Sequence, residues 1–329
     1  MIYIGCYTAA SGGNGVGVTA VRREASGEFT KVGELALPSP SWLCRHPSAD
    51  VLYAALESDE GAVASIDLGG FAVLDIVPTG GSSPCHLAVT HDERFLLCAN
   101  YGSGSLAVFG LAADGRITGR TDLVVHEGSG PHPDRQEAAH VHMAVPLDTP
   151  QGTLVSAVDL GTDEIRSYRL SVVGTLEPAG ASAMPPGTGP RQLVRRPGTD
   201  LAYVAGELAG TVVTVRESPL GVFTPLEVTR ATRTPYEDGP NYVAHLEVVG
   251  DRLYVSNRGP DCVTEFDLTG EQLTAVADHP CGAFPRHFSL VAGTCHVAAQ
   301  LDDAIVSFPM GGGPATRYAT GSPTCVIPG

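Results

Sequence analysis

Short apolar runs separated by turn residues cover the chain from end to end. Hydrophobic positions alternate with small or polar ones in segments such as GVGVTAVRRE (15–24) and GSLAVFGLAADG (104–115), which is the period of a β-strand with one buried face. No segment shows a sustained apolar period of about 3.6 residues bounded by helix caps. The pattern therefore predicts an all-β protein.

One kind of run recurs along the chain and predicts the architecture. A β-rich run with a tyrosine or another large residue near its start appears seven times, at intervals of about 42 to 59 residues. The runs are IYIGCYT (2–8), LYAALES (52–58), FLLCANY (95–101), LVSAVDLG (154–161), AYVAGEL (202–208), LYVSNRG (253–259) and CHVAAQ (295–300). Repeats of roughly 40 to 50 residues with four short strands each are typical of propeller blades. We expect a seven-bladed β-propeller with four antiparallel strands per blade.

The two ends of the chain complement each other. A second short strand precedes each run except the first, which begins at Ile2 and has no such partner upstream. The chain ends in SPTCVIPG (322–329), a run that fits the missing position. We therefore expect the C-terminal strand to pair with the N-terminal blade, which closes the ring and removes its open edges. On this basis residues 1–329 form one propeller domain.

Composition and charge narrow the function. The 329 residues carry a net charge of −16, which argues against nucleic acid or an anionic membrane as a partner, because either would need a basic face. In so acidic a chain, clustered arginines indicate a bound anion, so the expected partner is an anionic small molecule. The oligomeric state stays open.

Compartment and cysteine chemistry follow from the same composition. No apolar run is long enough to span a membrane, and the first residues lack a signal-peptide pattern, so we expect a cytoplasmic location. The eight cysteines include no CxxC pair and mostly lie in apolar strand-like runs. We interpret them as reduced packing residues.

Polar residues at corresponding strand ends predict a central pocket. When the first strand of a four-stranded blade lines the channel, its start lies on the same face as the end of the second strand. Polar side chains at those two places should converge; they are Glu57, His86, Asn100, His142, Asp159, Arg191, Glu207, His245, Arg258, Arg286 and Gln300. A role in satisfying backbone groups at the blade rims is favoured for Glu57, Asn100, Asp159 and Gln300.

Four short motifs are distinctive: NYGSGS (100–105), DLGTD (159–163), GTGPR (187–191) and SNRG (256–259). Through them the chain resembles the propeller-type 6-phosphogluconolactonase family, and the resemblance extends over nearly its whole length. The family is similar to the fungal carboxy-muconate cyclases, which form lactones on the same fold. The resemblance implies a lactonase or a cycloisomerase with a catalytic constellation of His142, Arg191, Glu207 and Arg258.

The chemistry of lactone opening suggests a role for each residue of the constellation. Water must lose a proton, the carbonyl oxygen must be stabilised as it becomes negative, and the ring oxygen must receive a proton. Glu207 is the candidate base and His142 the acid or a second base, but Glu207 could instead only orient Arg191. Arg191 and Arg258 are expected to clamp the substrate carboxylate and the oxyanion. His140 lies two positions from His142 on the same strand face, so either imidazole could reach the pocket, with His142 favoured.

The remaining candidates complete the predicted site. The substrate-binding candidates are His86, Asn100, His140, Asp159, His245 and Arg286. The HVH segment has a spacing that could ligate a metal, but the acidic cage of a calcium-dependent lactonase is missing, so we expect neither a metal nor another cofactor. Hydrolysis of a lactone on an anionic small molecule, similar to 6-phosphogluconolactone, is the leading function. Cycloisomerisation and a non-catalytic binding propeller are the alternatives.

Overall fold

The computed structural model describes residues 1–24, 26–270 and 272–329; Ala25 and Glu271 lie outside this description. The described residues form 28 strands, arranged as antiparallel sheets of four strands each. Two short 3-10 turns, Ala9–Ser11 and Gln300–Asp302, lie between strands. The prediction of a seven-bladed all-β propeller is confirmed.

The strands are numbered β1 to β28 in chain order, and each blade is given from the channel outwards. The first blade is β28 (Pro323–Pro328), β1 (Ile2–Cys6), β2 (Gly17–Arg23) and β3 (Phe29–Ala36). The second is β4 (Pro40–Arg45), β5 (Val51–Leu56), β6 (Ala62–Asp67) and β7 (Ala72–Pro78). The third is β8 (Pro84–Val89), β9 (Phe95–Asn100), β10 (Ser105–Leu111) and β11 (Ile117–Val125). The fourth and fifth are β12 (Val141–Thr149), β13 (Gly152–Asp159), β14 (Glu164–Leu170) and β15 (Leu176–Ala183); and β16 (Pro190–Arg195), β17 (Leu201–Gly206), β18 (Thr211–Glu217) and β19 (Phe223–Arg230). The last two are β20 (Tyr242–Val249), β21 (Arg252–Arg258), β22 (Cys262–Asp267) and β23 (Thr274–Pro280); and β24 (Pro285–Val291), β25 (Thr294–Ala299), β26 (Ala304–Pro309) and β27 (Thr316–Ala319).

The hydrophobic core lies between neighbouring blades. Strand β5 illustrates why the second strands are continuously apolar: Leu52 packs in a cluster shared with the first blade, whereas Tyr53 packs in one shared with the third. Both faces of such a strand are buried, so no polar alternation is required along it. The outermost strands, such as β3 and β7, alternate between exposed and less exposed residues because one face meets solvent.

The ring closes as the two ends of the sequence predict. Strand β28 pairs antiparallel with β1, with Ile2 opposite Pro328 and Ile4 opposite Val326. Val326 also joins the cluster that Ile4 forms with Ile305 of the last blade. The C-terminal strand thus supplies both hydrogen bonds and core packing at the seam between the first and last blades.

All eight cysteines lie within the described residues and are free thiols, and every one except Cys44 is buried. Among the described residues, no helix has the length and apolar character needed to cross a membrane.

Candidate active site

A β-bulge near the start of every innermost strand directs side chains into the channel. At this point the register between the first and second strands of the blade shifts, so that at least one residue stays unpaired. The unpaired residues are Ser41, Cys85, His142, Arg191, Ala244 with His245, Arg286 and Thr324. A bulge re-aims the side chain that it carries. Four of these side chains, those of Cys85, His142, Arg191 and Arg286, line one central cavity.

A second ring of side chains comes from the ends of the second strands. Tyr7, Glu57, Tyr101 and Glu207 follow β1, β5, β9 and β17 within one residue, and Arg258 ends β21. All five line the same cavity. Because a first strand starts where its antiparallel neighbour ends, the two rings meet at the channel mouth.

The cavity has a volume of about 320 Å³ and is rich in charge. Its lining residues are Tyr7, Glu57, Cys85, Tyr101, Arg135, His142, Arg191, Glu207, Tyr242, Arg258, Phe284 and Arg286. The structure therefore brings together the four constellation residues and one further candidate, Arg286. Arginines outnumber carboxylates by four to two in this lining, so the pocket carries surplus positive charge.

The Glu207 carboxylate holds three arginines. Its Oε1 accepts a hydrogen bond from Nη2 of Arg135 at 2.7 Å, and its Oε2 accepts one from Nη1 of Arg191 at 2.6 Å. Nη2 of Arg258 lies 3.0 Å from the same Oε2. The guanidinium groups are fixed further, because Nε of Arg191 donates to the Ala244 carbonyl and Nε of Arg258 to the Tyr242 carbonyl. Glu207 thus organises the cationic side of the pocket.

The charges of this cluster depend on one another. Burial by itself raises the pKa of Glu207, but the attraction of Arg258 and Arg191 outweighs burial and holds the pKa well below its usual value. Burial lowers the pKa of Arg258 to about 9, an effect that the Glu207 carboxylate opposes. Both groups are therefore charged at neutral pH. Both oxygens of this carboxylate already accept hydrogen bonds from guanidinium groups, which favours the interpretation of Glu207 as the residue that orients the arginines.

His142 is the buried imidazole of the pocket. Burial lowers its pKa well below the usual value, and the neighbouring Arg191 adds to that effect. Its Nδ1 is buried without a hydrogen-bond partner among the described residues, and its ring packs edge-on against Tyr101 at a centroid distance of 5.7 Å. The imidazole is consequently neutral at neutral pH and retains a lone pair that can accept a proton.

A second polar network occupies the opposite wall. Nη2 of Arg286 donates to the Tyr7 hydroxyl at 2.6 Å, and that hydroxyl donates to Oε1 of Glu57 at 2.7 Å. The Arg286 guanidinium also stacks on the Tyr7 ring, 4.7 Å from its centroid. Glu57 thus lines the pocket and bonds to a tyrosine, in contrast to the backbone-satisfying role that the sequence favours for it.

Two predicted binding residues lie outside the cavity: His86 comes one position after the bulge at Cys85, and His245 is the second unpaired residue of the bulge in β20. His86 and His245 pack with Trp42 and His287, and we call these four residues the imidazole layer. The Trp42 ring lies 4.5 Å from His86 and 5.0 Å from His287, and the two imidazoles of His245 and His287 are 4.0 Å apart. None of the four lines the cavity. The bulge is the physical reason, because it gives the pocket position to Cys85 and turns the next residue, His86, away from it.

The other three candidates lie at the rim of the blades. Asp159 is fully buried, where it binds His126 and accepts hydrogen bonds from the backbone N–H groups of His140 and Gly161. Asn100 donates to the Ser105 hydroxyl. The His140 ring stacks on Tyr101 at 4.5 Å with its Nδ1 against the Tyr101 carbonyl. These side chains support the loops of the site and are not among its lining residues.

Sequence reasoning missed several lining residues. Tyr7 and Tyr101 come one position after strand ends that the repeats already mark, so a shift of one residue along the strand would have found them. Arg135 belongs to the polar segment HEGSGPHPDRQEAAH (126–140) in the longest interval between repeats, and long ordered loops often carry function. Fully buried Gln136 pins this loop by donating to the Leu160 carbonyl.

The pocket residues offer little to a metal ion. Glu207 is committed to arginines and Glu57 to a tyrosine, and among the described residues no group of three or more His, Cys, Asp or Glu side chains could hold a metal. Burial raises the pKa of the Cys85 thiol well above its usual value, so that it is not a thiolate ligand at neutral pH.

Comparison with known proteins agrees with the fold. The chain is 32% identical to a 6-phosphogluconolactonase of Bacillus subtilis over 87% of this chain and 83% of that protein, and 25% identical to a 6-phosphogluconolactonase of Formosa agariphila over 93% and 91%. Among solved structures, the periplasmic gluconolactonase of Pseudomonas aeruginosa superimposes with a TM-score of 0.89 at 26% identity, covering 99% of this chain and 98% of that one. The fold and these relatives define an enzyme of the lactone hydrolase class. The chain belongs to the family described as Lactonase, 7-bladed beta-propeller, whose model matches residues 1–323.

Proposed function

We propose that this enzyme hydrolyses the lactone ring of an anionic small molecule in the arginine-rich pocket. The observation that carries the proposal is the Glu207 cluster, in which a single buried carboxylate engages Arg135, Arg191 and Arg258 beside the neutral imidazole of His142. A clamp of oriented guanidinium groups next to a proton acceptor is what opening an anionic lactone requires.

In this mechanism His142 accepts the proton of the attacking water. Its imidazole is neutral because burial and Arg191 lower its pKa, so it is free to take a proton when water adds to the lactone carbonyl. The imidazolium that forms is then stabilised by Glu207, whose charge raises the pKa of His142. When the ring opens, the same imidazolium returns the proton to the departing ring oxygen.

Arg191 and Arg258 stabilise the negative charge that develops on the carbonyl oxygen. Each already uses its Nε on a backbone carbonyl and one Nη on Glu207, which holds the remaining donors in one orientation. Donors held in place before the reaction need no reorganisation as charge appears, and a single such donor contributes roughly 10²- to 10³-fold to kcat. Glu207 serves in this mechanism as a positioning residue.

The names of the relatives suggest the first substrate to assay. Two curated relatives are called 6-phosphogluconolactonase, and a phosphorylated sugar lactone would suit a pocket in which Arg135 and Arg286 add to the two clamp arginines. We therefore propose a phosphorylated or carboxylated lactone as the substrate class. The cytoplasmic location expected from the sequence stays a prediction, which cell fractionation would test, since one relative is named periplasmic.

The test is hydrolysis by the purified protein. Acid release from 6-phosphogluconolactone and from unphosphorylated gluconolactone should exceed the spontaneous rate, with the anionic lactone preferred in kcat/KM. Hydrolysis no faster than in buffer for both lactones would contradict the proposal. Formation of a lactone from an unsaturated dicarboxylate, without hydrolysis of either substrate, would favour the cycloisomerase alternative.

A further inference from the structure

Glu57 stands where two cavities meet. It lines the arginine-rich pocket together with Tyr7, and the same two residues line a neighbouring cavity of about 540 Å³. The rest of that cavity, which we call the annex, is formed by Ala10, Ser11, Ser58, Asp59, Glu60 and Ser83. The annex therefore adjoins the arginine-rich pocket at Tyr7 and Glu57.

One oxygen of the Glu57 carboxylate has no hydrogen bond. Oε1 accepts from the Tyr7 hydroxyl at 2.7 Å, whereas Oε2 is buried and finds no partner among the described residues. Leaving a charged oxygen buried and unpaired is costly, more so than for a neutral group. A hydrogen bond donated by a molecule in the pocket would satisfy this oxygen.

The position of Glu57 is fixed on three sides. Its backbone N–H donates to the Ser39 carbonyl at 2.9 Å, and its own carbonyl accepts from the Ser11 hydroxyl at 2.7 Å. Arg286 holds the Tyr7 hydroxyl that in turn holds Oε1. The carboxylate is thus oriented before any ligand arrives, which is the condition for selective recognition.

The chemistry of the annex is opposite to that of the arginine pocket. Asp59 and Glu60 join Glu57 in its lining, together with serine hydroxyls, and no arginine or lysine is among its described lining residues. A second carboxylate or phosphate would meet like charges there. Hydroxyl groups of a ligand would find hydrogen-bond acceptors there. A ligand ammonium group at Glu57 would be repelled by the guanidinium of Arg286, which is linked to Glu57 through the Tyr7 hydroxyl.

We infer that Glu57 is a specificity-determining residue that accepts a hydrogen bond from a hydroxyl group of the substrate. The substrate is then a lactone with its anion at the arginines and hydroxyl groups towards the annex, and a lactone with a second anion at that end is rejected. This inference rests on the proposed lactonase function and identifies a substrate hydroxyl group as the part that Glu57 recognises.

Two lactones that differ in hydroxylation test the inference. Saccharolactone carries hydroxyls and one carboxylate on a γ-lactone ring, and the γ-lactone of α-hydroxyglutarate has the same ring size and charge without hydroxyls. The wild-type enzyme should prefer saccharolactone in kcat/KM by about tenfold or more, which is the usual worth of a hydrogen bond to a charged group. Glu57→Gln and the shortened Glu57→Asp should each lose most of this preference, while the control Glu34→Gln on outer strand β3 should keep it.

The outcomes separate the inference from the function on which it rests. Equal hydrolysis of the two lactones by the wild type would overturn the role of Glu57, and this comparison does not depend on any variant folding. An equal loss on both lactones in Glu57→Gln and Glu57→Asp would also overturn it, because Glu57 would then act only through Tyr7 and Arg286. Failure of the wild type on both lactones and on 6-phosphogluconolactone would instead overturn the lactonase function itself.

Discussion

Two adjacent layers of the central channel use polar side chains in opposite ways. At the mouth, the guanidinium groups of Arg191 and Arg258 stay charged around Glu207 and face a cavity. Deeper in the channel, on strands β4, β8, β20 and β24, the imidazole layer is uncharged: burial lowers the pKa of His86 and of His287 to about 3, and that of His245 well below its usual value. The positive charge of the mouth adds to this effect, since Arg191 lowers all three.

The difference shows what decides whether a buried group keeps its charge. The mouth contains a carboxylate that compensates the arginines, whereas the imidazole layer consists of aromatic and neutral rings that cannot stabilise an imidazolium. An uncharged layer beneath the pocket also keeps the local dielectric constant low, which strengthens the interactions of the arginines with an anion. We therefore expect changes at the mouth to alter activity and changes in the imidazole layer to alter stability.

The largest effect is expected at the clamp. Arg191→Lys and Arg258→Lys should each lower kcat/KM by roughly 10²- to 10³-fold, because an ammonium group cannot hold Glu207, a backbone carbonyl and the substrate in one plane. Steady-state kinetics on 6-phosphogluconolactone measures this. Arg216→Lys, at an exposed ion pair with Asp200, is the control and should behave as wild type. Near-normal kcat/KM in both clamp variants would remove the arginines from the mechanism.

Glu207→Gln distinguishes a base from a positioning residue. Glutamine loses the charge and turns an N–H donor towards a guanidinium, so the arginines lose their alignment. We expect a loss of about 2 kcal/mol or more in kcat/KM, with a higher KM accompanying the lower kcat, because the same arginines bind the anion and stabilise the oxyanion. If kcat instead fell by roughly 10²- to 10⁴-fold at unchanged KM, Glu207 would be the base. A melting curve confirms that the variant is folded.

Trp42→Phe tests the imidazole layer. The Trp42 Nε1 donates to the Leu87 carbonyl at 3.2 Å, and phenylalanine leaves that buried carbonyl unpaired. We expect the free energy of unfolding to fall by about 1–3 kcal/mol, with kcat/KM within about twofold of wild type. Urea denaturation and kinetics on the same preparation provide both values. A large loss of activity without a loss of stability would contradict the division between the two layers.

The imidazole layer should also make the fold sensitive to mild acid. Its histidines have folded-state pKa values below the unfolded value of about 6.5, so the unfolded chain binds more protons and stability falls as pH decreases below that value. The limiting slope is about 1.4 kcal/mol per pH unit for each histidine. Glu207 acts in the same direction but only at lower pH, near and below the ordinary carboxyl pKa. Urea midpoints between about pH 7 and about pH 5 measure the slope. His86→Gln should flatten it, whereas His91→Gln, at an exposed site, should leave it unchanged.

Chelation is expected to have the smallest effect. Both pocket carboxylates are engaged by protein donors, so prolonged treatment with EDTA should change neither kcat/KM nor the melting temperature. Loss of activity that calcium or zinc restores would show that the pocket binds a metal after all.

Much of the architecture could be predicted because a propeller repeats it. Seven apolar runs buried on both faces leave a strong periodic signal, as in Val51–Leu56, and the unpaired first run requires a partner such as Pro323–Pro328. The strand-end positions of Arg191, Glu207 and Arg258 followed from that framework. These features depend on local patterns and on the number of blades, both of which are present in the sequence.

The tertiary structure decided which residue near each strand end enters the pocket. A bulge inserts one unpaired residue, and the register of a strand with period two then reverses, so Cys85 takes the place that the sequence assigns to His86. The bulge is defined by the pairing with the second strand. The contact of Arg135 with Glu207 likewise joins a loop of one blade to the strand end of another. The sequence determined the blades and the kinds of group at their ends, whereas the hydrogen-bond register and the loop path determined which of those groups meet, because both are properties of segments distant in the chain.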